Sequence, residues 1–274
     1  MCIRDSVDTK NTYGVLVLLN NNITGGVKIA LPTAGQSYND WNNTVLSPDL
    51  AELAKTGEFY MANAPLCESG KVTTLVTIDK TKIYATETEA KTKTSADVYV
   101  ERGVAKMTVA DPGKITVKDK ATSAETKSEV TFNKWALDIT NKKTFAVHNI
   151  DGLSKKFPAI WTTARFSGLN SRVYWGKDPN YDNEDLKKND ATGDDLRDKE
   201  FNSITATSEI NKDFTTTTAT NPVYCLENTF NLANMYQGQT TRVIFKAKYA
   251  PMNDAGVSPV SYTPLRAHET ELHL

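Results

Sequence analysis

One histidine, His148, lies outside the C-terminal tail of the 274-residue chain. Hydrolysis through a Ser-His-Asp or Cys-His arrangement needs an imidazole held beside the nucleophile. His148 follows Ala146 and Val147 at the expected end of a strand, which favours a structural or solvated side chain. The Asp and Glu pairs, which could do acid–base chemistry without histidine, fall in polar loops with no apolar pocket evident. We therefore predict no catalytic residue and expect a protein that is not an enzyme, with a secreted hydrolase as an alternative.

The segment Asp178–Glu184 carries oxygen ligands at alternate positions, as a loop that wraps calcium does. The calcium loop of helix–loop–helix proteins also needs Gly at its sixth position and Glu at its twelfth, where this chain has Asn183 and Asn189. A solvated acidic loop is therefore expected. Near the C-terminus, His268 and His273 stand one residue too far apart for the zinc-protease helix motif. The sequence predicts no metal site and no cofactor.

Two cysteines and four aromatic residues leave alternatives open. Cys67 and Cys225 fall in different predicted domains, so we expect free, partly buried thiols, although an oxidising compartment would permit a disulfide. Four aromatic side chains could stack on a sugar, although core packing at the start of a second domain is favoured. They are Trp161, Tyr174, Trp175 and Tyr181.

The composition excludes several classes of protein. Lys and Arg total 32 and Asp and Glu total 33, and a net charge of −1 gives no broad attraction to nucleic acid or to an anionic membrane. No apolar run reaches the roughly 18–20 residues of a membrane-spanning helix. Hydrophobic residues make up 39% of the chain, enough for a core. Abundant Thr and other β-branched residues favour sheet, and no series of helical segments suggests an α/β fold.

The hydrophobic pattern therefore predicts an all-β protein with one short helix. That helix is placed at Pro48–Lys55, capped by Ser47 and ended by Gly57. The predicted strands are Gly14–Leu19, Val27–Leu31, Glu58–Ala62, Val72–Ile78 (continued by Lys82–Ala85), Val98–Glu101, Ala105–Val109, Ile115–Val117, Glu129–Asn141, Phe145–Val147, Pro222–Glu227 and Thr241–Ala250.

Two of these strands have informative side-chain patterns. Val130 and Phe132 share one face, and Trp135 takes up the alternation one residue late, which predicts a β-bulge near Asn133–Lys134. Phe145 and Val147 are predicted to form a partner strand after a turn at 141–143. In the last strand, four residues are expected to face one way, and three others are expected to be solvated. The first set is Val243, Phe245, Ala247 and Tyr249, and the second is Arg242, Lys246 and Lys248.

Both ends of the chain resemble translated sequencing adapter, at Met1–Ser6 and at Ser261–Thr270. We expect the chain to be an internal fragment, with adapter-derived residues at 1–6 and 258–274. The authentic part is predicted to form two β-sandwich domains, at 7–152 and 153–257, the second incomplete, joined through the turn-rich segment Asp151–Pro158.

Several segments, in order along the chain, resemble fimbrillins of Bacteroidales-type bacteria. Asp97–Val109, with Arg102–Met107 at its centre, resembles the central strand of that family. The segment Phe132–Thr144 resembles the strand that follows. The other similar segments are Phe59–Pro65, Tyr174–Tyr181, Tyr224–Thr229 and Gln239–Val243. The resemblance covers about 12–251 and is nearest to the minor-fimbrium branch of the major-subunit family, the type V pilins.

The resemblance implies two tandem transthyretin-like domains, export as a lipoprotein and anchoring at the outer membrane. It also implies that an Arg-specific protease removes the first strand and that a terminal strand of a neighbouring subunit fills the groove. Such a donor strand would satisfy open ladder hydrogen bonds and apolar pockets, and repetition would build a filament. Arg4 lies in the adapter-like string and is not assigned as the cleavage site.

The sequence and the resemblance together predict a structural subunit of an extracellular fimbrium that supports adhesion. Its expected partners are other fimbrillin subunits, in a homopolymer, and accessory tip or anchor subunits. Host or bacterial surface proteins or glycans are further candidates, and nucleic acid is not expected. The alternatives are a tip or anchor subunit, or a surface lipoprotein that binds glycans through the aromatic residues near Trp175.

Overall fold

The computed structural model describes residues 12–68, 71–152, 171–173, 176–184, 186, 198–215, 222–230 and 239–252, and the fold in these ranges is all-β. The strands are β1 (Tyr13–Val15), β2 (Leu18–Leu19), β3 (Asn22–Ile23), β4 (Gly26–Val27), β5 (Met61–Asn63), β6 (Leu66–Glu68), β7 (Lys71–Thr73), β8 (Val76–Ile78), β9 (Val100–Arg102), β10 (Ala105–Met107), β11 (Lys114–Lys118), β12 (Glu125–Asp138), β13 (Thr140–Asn141), β14 (Ser171–Arg172), β15 (Phe201–Asn202), β16 (Val223–Cys225) and β17 (Arg242–Ala250). Three short helices are α1 (Tyr38–Asn42), α2 (Leu50–Leu53) and α3 (Glu87–Thr92), and a 3₁₀ turn lies at Lys80–Lys82.

The chain forms two compact units that alternate along the sequence. Unit 1 comprises Met1–Ala105, Lys143–Asp182 and Thr229–Asn231, and unit 2 comprises Lys106–Lys142, Asn183–Asn228 and Leu232–Leu274. The sequence predicts a single division instead, between residues 152 and 153. That division into domains stays a prediction, and the adapter-like segments 1–6 and 258–274 lie outside the described residues.

Unit 1 is built from very short strands. Its sheets have the orders β1-β8, β2-β5-β9, β14-β6-β7 and β3-β4. Strands of two or three residues leave many backbone groups without ladder partners, and buried side chains supply some of the missing hydrogen bonds. The side chain of Asn63 is fully buried. Its Nδ2 donates to the carbonyls of Val15 (2.8 Å) and Thr74 (3.0 Å), and its Oδ1 accepts from the Val17 amide (2.8 Å).

These Asn63 contacts explain two departures from the predicted strands. The predicted strand Gly14–Leu19 is two strands, β1 and β2, because the Val17 amide donates to a side chain rather than to a neighbouring strand. The predicted strand Val72–Ile78 is likewise two strands, β7 and β8, with the buried Thr74 at the break. The predicted continuation at Lys82–Ala85 is not a strand, and it follows directly on the 3₁₀ turn.

The core of unit 1 packs Cys67, Val173 and Tyr181 together, with Val72 and Ile150 against them. A second anchor is Tyr60, whose buried hydroxyl donates to the Ala146 carbonyl at 2.8 Å. Gly103 lies so close to this tyrosine that an added Cβ would stand 2.8 Å from its ring. This position therefore requires glycine, because the Cβ atom of any other residue would clash with the Tyr60 ring.

The predicted helix at Pro48–Lys55 is present but is limited to α2, Leu50–Leu53. Ser47 is not its cap. Asp49 takes that role, because its carboxylate accepts from the Ala51 amide at 2.9 Å and its charge complements the helix dipole.

The prediction of a single helix is wrong, since α1 and α3 are also helical. Each begins with a capping box, in which the first side chain accepts from the backbone N–H three residues on. In α1 the Ser37 hydroxyl accepts from Asp40, and in α3 the Thr86 hydroxyl accepts from Glu89. These capping residues are the feature of the sequence from which the two helices could have been predicted. Neither helix has an apolar stripe long enough to be detected by its periodicity.

Unit 2 is organised around β12, the longest strand in the described ranges. It lies between β11 and β17 in a three-stranded antiparallel sheet. The register with β17 shifts between Phe132 and Lys134, which leaves Asn133 as an extra residue and confirms the predicted bulge. Because of the shift, Phe132 and Trp135 lie on the same face although they are three positions apart.

One predicted pairing is wrong. Phe145 and Val147 do not form a partner strand for β12, whose neighbours are β11 and β17. The segment is held instead by two contacts within unit 1. Thr144 forms an isolated antiparallel bridge with Leu46, and the Val147 amide donates to the side chain of Asn42 at 2.8 Å.

Strand β12 ends at a strained residue. Ile139 has a φ of 56°, in the left-handed region that β-branched residues rarely occupy, and its side chain is buried with Leu186 and Phe201. Its carbonyl accepts from the Thr241 hydroxyl at 2.7 Å. The turn separates β12 from β13, which pairs with β15.

Deletion of Asn133 is expected to abolish the native packing of unit 2. Without the bulge, Trp135 and Leu137 would turn to the opposite face, and burying each is worth about 3–5 kcal/mol. A domain has only about 5–15 kcal/mol of stability. Near-UV circular dichroism and urea unfolding check this, with Asn133→Ala as the matched control, expected to change the unfolding free energy by less than about 0.5 kcal/mol. A deletion variant with native cooperativity would contradict the structural role of the bulge.

Candidate functional site

The most distinctive surface of the described chain is one face of the β11-β12-β17 sheet. The pairing register places its apolar residues in rows across the three strands. These rows are Ile115–Val130–Tyr249, then Phe132–Ala247, Trp135–Phe245 and Leu137–Val243. The opposite face carries mostly polar and charged residues, namely Lys114, Thr116, Glu129, Thr131, Lys134, Lys246 and Lys248. Alternation of this kind marks a sheet with one face meant to be covered.

Among the residues that the structure describes, a second layer covers one end of this apolar face. Strands β10 and β16 pair with each other and bring Met107, Val223 and Cys225 against Trp135 and Leu137. Trp135 is completely buried, and its indole Nε1 donates to the Asp213 carbonyl at 3.0 Å. This covered end is a small two-layer sandwich with a buried apolar core.

The other end of the same face is open. Ile115 keeps 46% of its accessible surface and Tyr249 keeps 36%, while Val130 and Phe132 are half-buried. We call this region, formed by Ile115, Val130, Phe132 and Tyr249, the half-covered face. Phe132 marks the transition, because its ring packs edge-on against Phe245 with centroids 5.5 Å apart. The second layer is thus shorter than the sheet that it covers.

The strands that carry the half-covered face also form the edges of their sheet. In the order β11-β12-β17, both β11 and β17 are outer strands among the described residues. An outer strand presents backbone N–H and C=O groups that can pair with a further strand. Lys246 and Lys248 are exposed on β17, as is common for charges that protect an edge from indiscriminate pairing.

A buried ion pair fixes the closed end of this sheet. The Asp138 side chain is almost completely buried, and its Oδ2 accepts from Arg242 Nε at 2.7 Å. Its Oδ1 accepts from the Ile204 amide at 2.7 Å. Arg242 is therefore not solvated as predicted, because it neutralises this carboxylate. The other predictions for this strand are confirmed, since Lys246 and Lys248 are exposed and Val243 packs on the core.

His148 belongs to a charged cluster in unit 1. Its Nδ1 contacts Glu101 Oε1, and Glu101 Oε2 accepts from Arg172 Nη2 at 3.1 Å. The His148 and Glu101 side chains keep only 15% and 13% of their surface. The carboxylate thus holds two basic groups in place, which is the structural role considered for His148.

The acidic segment Asp178–Glu184 is only in part the solvated loop predicted from the sequence, since Asp182 and Glu184 are exposed but its first half is not. Asp178, Asn180 and Tyr181 are buried. Asp178 Oδ1 accepts from the Asn180 amide at 2.6 Å, and Oδ2 accepts from the amide of Thr229. The carboxylate oxygens therefore satisfy backbone donors within unit 1 instead of pointing outward to a cation. Among the described residues, no group of three or more His, Cys, Asp or Glu side chains is placed to hold a metal ion.

The structure describes both cysteines and one of the four aromatic residues. Cys67 and Cys225 are free thiols, each in the core of its own unit, as expected. Burial raises the pKa of Cys225, which keeps that thiol protonated and unreactive at neutral pH. Tyr181 is a core residue with Lys177 Nζ 6.0 Å from its ring centroid. Trp161, Tyr174 and Trp175 lie outside the described residues.

Comparison with models of known protein families gives no match, and comparison with curated proteins gives none either. In the described part of the chain, no helix is both long and apolar enough to cross a bilayer. The function must therefore be argued from the surfaces of the molecule.

Replacing Ile115 and Tyr249 by Ser is expected to lower the binding of the hydrophobic dye ANS without weakening the fold. Both side chains are partly exposed, at 46% and 36% of their accessible surface, so their loss should change the unfolding free energy by less than about 1 kcal/mol each. Dye fluorescence titration and urea unfolding provide the two measurements. Leu31→Ser is the control, since Leu31 is 56% exposed in unit 1 and lies outside the half-covered face. Equal dye binding by all three proteins would show that the face is not an accessible apolar surface.

Proposed function

We propose that this chain is a structural, non-enzymatic subunit of a cell-surface fimbrium, in which a strand of a neighbouring subunit completes the sandwich of unit 2. The observation that carries the proposal is the half-covered face. An apolar sheet surface bounded by outer strands fits a partner that supplies both side chains and backbone hydrogen bonds. The ordered sequence resemblance to fimbrillins supports the same assignment.

The energetics favour a strand over a compact partner or a small ligand. Covering three or four partly exposed apolar side chains contributes only a few kcal/mol. Association costs an estimated 4–15 kcal/mol in lost freedom of motion. A strand that pairs along β11 or β17 adds two backbone hydrogen bonds, each worth about 0.5–1.5 kcal/mol, at every second residue, besides inserting alternate side chains onto the face. Only a partner in the form of a strand gains both the apolar contacts with the half-covered face and the backbone hydrogen bonds of an outer strand.

A second copy of the subunit is the occupant that turns this contact into a fibre. Donation by one copy and acceptance by the next is a head-to-tail interface, which does not close and therefore propagates. Within this proposal the two domains are transthyretin-like, the precursor is a lipoprotein, and an Arg-specific protease exposes the acceptor groove before assembly. The finished fimbrium stands outside the outer membrane, where it supports adhesion.

Assembly of the precursor tests the proposal. The precursor encoded at the source locus, treated with an Arg-specific protease that does not cleave after lysine, is expected to form ladders that survive unheated detergent gels. Ile115→Lys is expected to block these ladders, because it puts a charge on the half-covered face. Thr116→Lys is the matched control, since Thr116 is also exposed on β11 but faces the other way, and it should assemble normally. Persistent monomers of the unsubstituted protein, or ladders unaffected by Ile115→Lys, would contradict the shaft-subunit proposal.

The source locus offers an independent check. Sequencing across both ends of this reading frame is expected to reveal an upstream signal peptide with a lipoprotein cysteine, followed by an arginine cleavage site. A locus that encodes Met1 and Leu274 as its natural ends would remove the machinery of polymerisation and favour the glycan-binding alternative.

A further inference from the structure

Strand β17 is open on both faces over the second half of its length. The side chains of residues 246–249 are all exposed, whereas those of residues 242–245 are half-buried. Lys246 and Lys248 lie on the polar face of the sheet, and Ala247 and Tyr249 lie on the apolar face. A strand that pairs outside β17 would therefore meet lysines on one face and apolar side chains on the other.

The ammonium group of Lys246 has no opposite charge beside it in the sheet. Its cross-strand neighbour on β12 is another lysine, Lys134. The charge of Lys134 is already neutralised by the carboxylate of Asp213. Like charges directly opposite each other destabilise a pair of strands, and an acidic group on the outer side of β17 would offset this repulsion.

Lys248 is also left without a carboxylate. Its cross-strand neighbour is the neutral Thr131. Glu129, two positions earlier on β12, is bound by Lys114 of β11, with Nζ and Oε2 3.0 Å apart. The ion pairs found within the described ranges include neither Lys246 nor Lys248. Two cations on alternate residues of one outer strand are thus not neutralised.

The other outer strand, β11, differs in both charge and length. Lys114 is paired with Glu129, and Lys118 stands opposite Glu125 in the register. Strand β11 has five residues and β17 has nine, so a partner strand gains more backbone hydrogen bonds along β17. Of the two, β17 is therefore the edge that combines a long ladder with charge that a partner can neutralise.

We propose that β17 is the edge that accepts the partner strand, and that this partner alternates acidic residues with apolar ones. Two acidic side chains at alternate positions would stand opposite Lys246 and Lys248. The apolar residues between them would lie beside Tyr249 and extend the cover of the half-covered face. The inference rests on the proposed function, since it specifies the chemistry of the strand that completes unit 2.

The same two lysines reject other strands. In an antiparallel pairing of β17 with β17 of a second copy, centred on Ala247, Lys246 would stand opposite the second copy's Lys248, and the charges would repel. A neutral strand would gain the backbone hydrogen bonds but would leave both ammonium groups without a partner. Specificity of this kind combines an attraction for one partner with a repulsion against its competitors.

NMR titration of the full chain with three capped seven-residue peptides tests the inference. The acidic peptide alternates valine with glutamate, and the basic peptide has lysine in place of glutamate. The third has the composition of the acidic peptide with its glutamates grouped at one end. The acidic peptide should shift the backbone amide signals of residues 246–249. It should bind about tenfold more tightly than the basic peptide, because two cross-strand attractions replace two repulsions, and more tightly than the grouped one.

Charge reversal on β17 separates recognition by this edge from an effect of net charge. The double variant Lys246→Glu with Lys248→Glu should bind the basic peptide more tightly than the acidic one. The matched control is Lys106→Glu with Lys120→Glu, which changes the net charge equally at exposed positions on β10 and in the turn after β11. The control should keep the original preference. Far-UV circular dichroism checks that both double variants are folded, as expected for exposed positions.

Four results would overturn the inference. The acidic peptide does not bind at millimolar concentration, it shifts the signals of Lys114–Lys118 instead of those of β17, it binds no more tightly than the basic or the grouped peptide, or the control reverses its preference as the β17 variant does. The ladder assay keeps the two proposals apart. Ladders without peptide binding at β17 would leave the fimbrial proposal standing, and peptide binding by a precursor that stays monomeric would retain only the edge that binds acidic strands.

Discussion

The one-residue bulge at Asn133 is the constraint on which unit 2 depends. A strand of 14 residues would otherwise divide its apolar side chains between two faces, with Val130 and Phe132 on one and Trp135 on the other. The extra residue restores the phase, so that a single apolar face runs along the whole strand. The buried core and the half-covered face both depend on this bulge. One end is buried as the core around Trp135, and the other continues beyond the second layer as the half-covered face.

Unit 1 is stabilised differently, because its strands are too short for strand pairing alone to satisfy their backbone N–H and C=O groups. Amide side chains take the place of ladder partners there. Asn63 links β1 and β5 to the break before β8, and Asn21 exchanges two hydrogen bonds of 2.8 Å with the backbone of Ile29. Amides used in this way are rigid, because each is fixed by two or more contacts.

The sequence predicts the parts of this fold that have strong periodicity. The all-β class follows from the Thr-rich, β-branched composition, and the bulge in β12 and the alternation along β17 follow from side-chain patterns longer than eight residues. The short elements could not be found in that way, because strands of two or three residues have no measurable period and their ends are set by distant amides. Pairing partners were equally hidden, as with Phe145 and Val147. The half-covered face can be recognised only once the register of three strands is known. The Asp138–Arg242 ion pair joins residues far apart in the sequence, so no local pattern predicts it.

The pairing of β12 with β17 also determines when this face can form during synthesis. Leu137 and Val243 are neighbours in the sheet but are separated by roughly 100 residues of chain, which takes about 5–20 s to translate. Until then β11 can pair with one edge of β12, but the edge that faces β17 has no partner strand. A nascent chain in this state presents the kind of surface that captures a foreign strand. The long β12–β17 separation therefore makes aggregation during synthesis a specific hazard of this fold, because the free edge of β12 is available to other chains until β17 has been made.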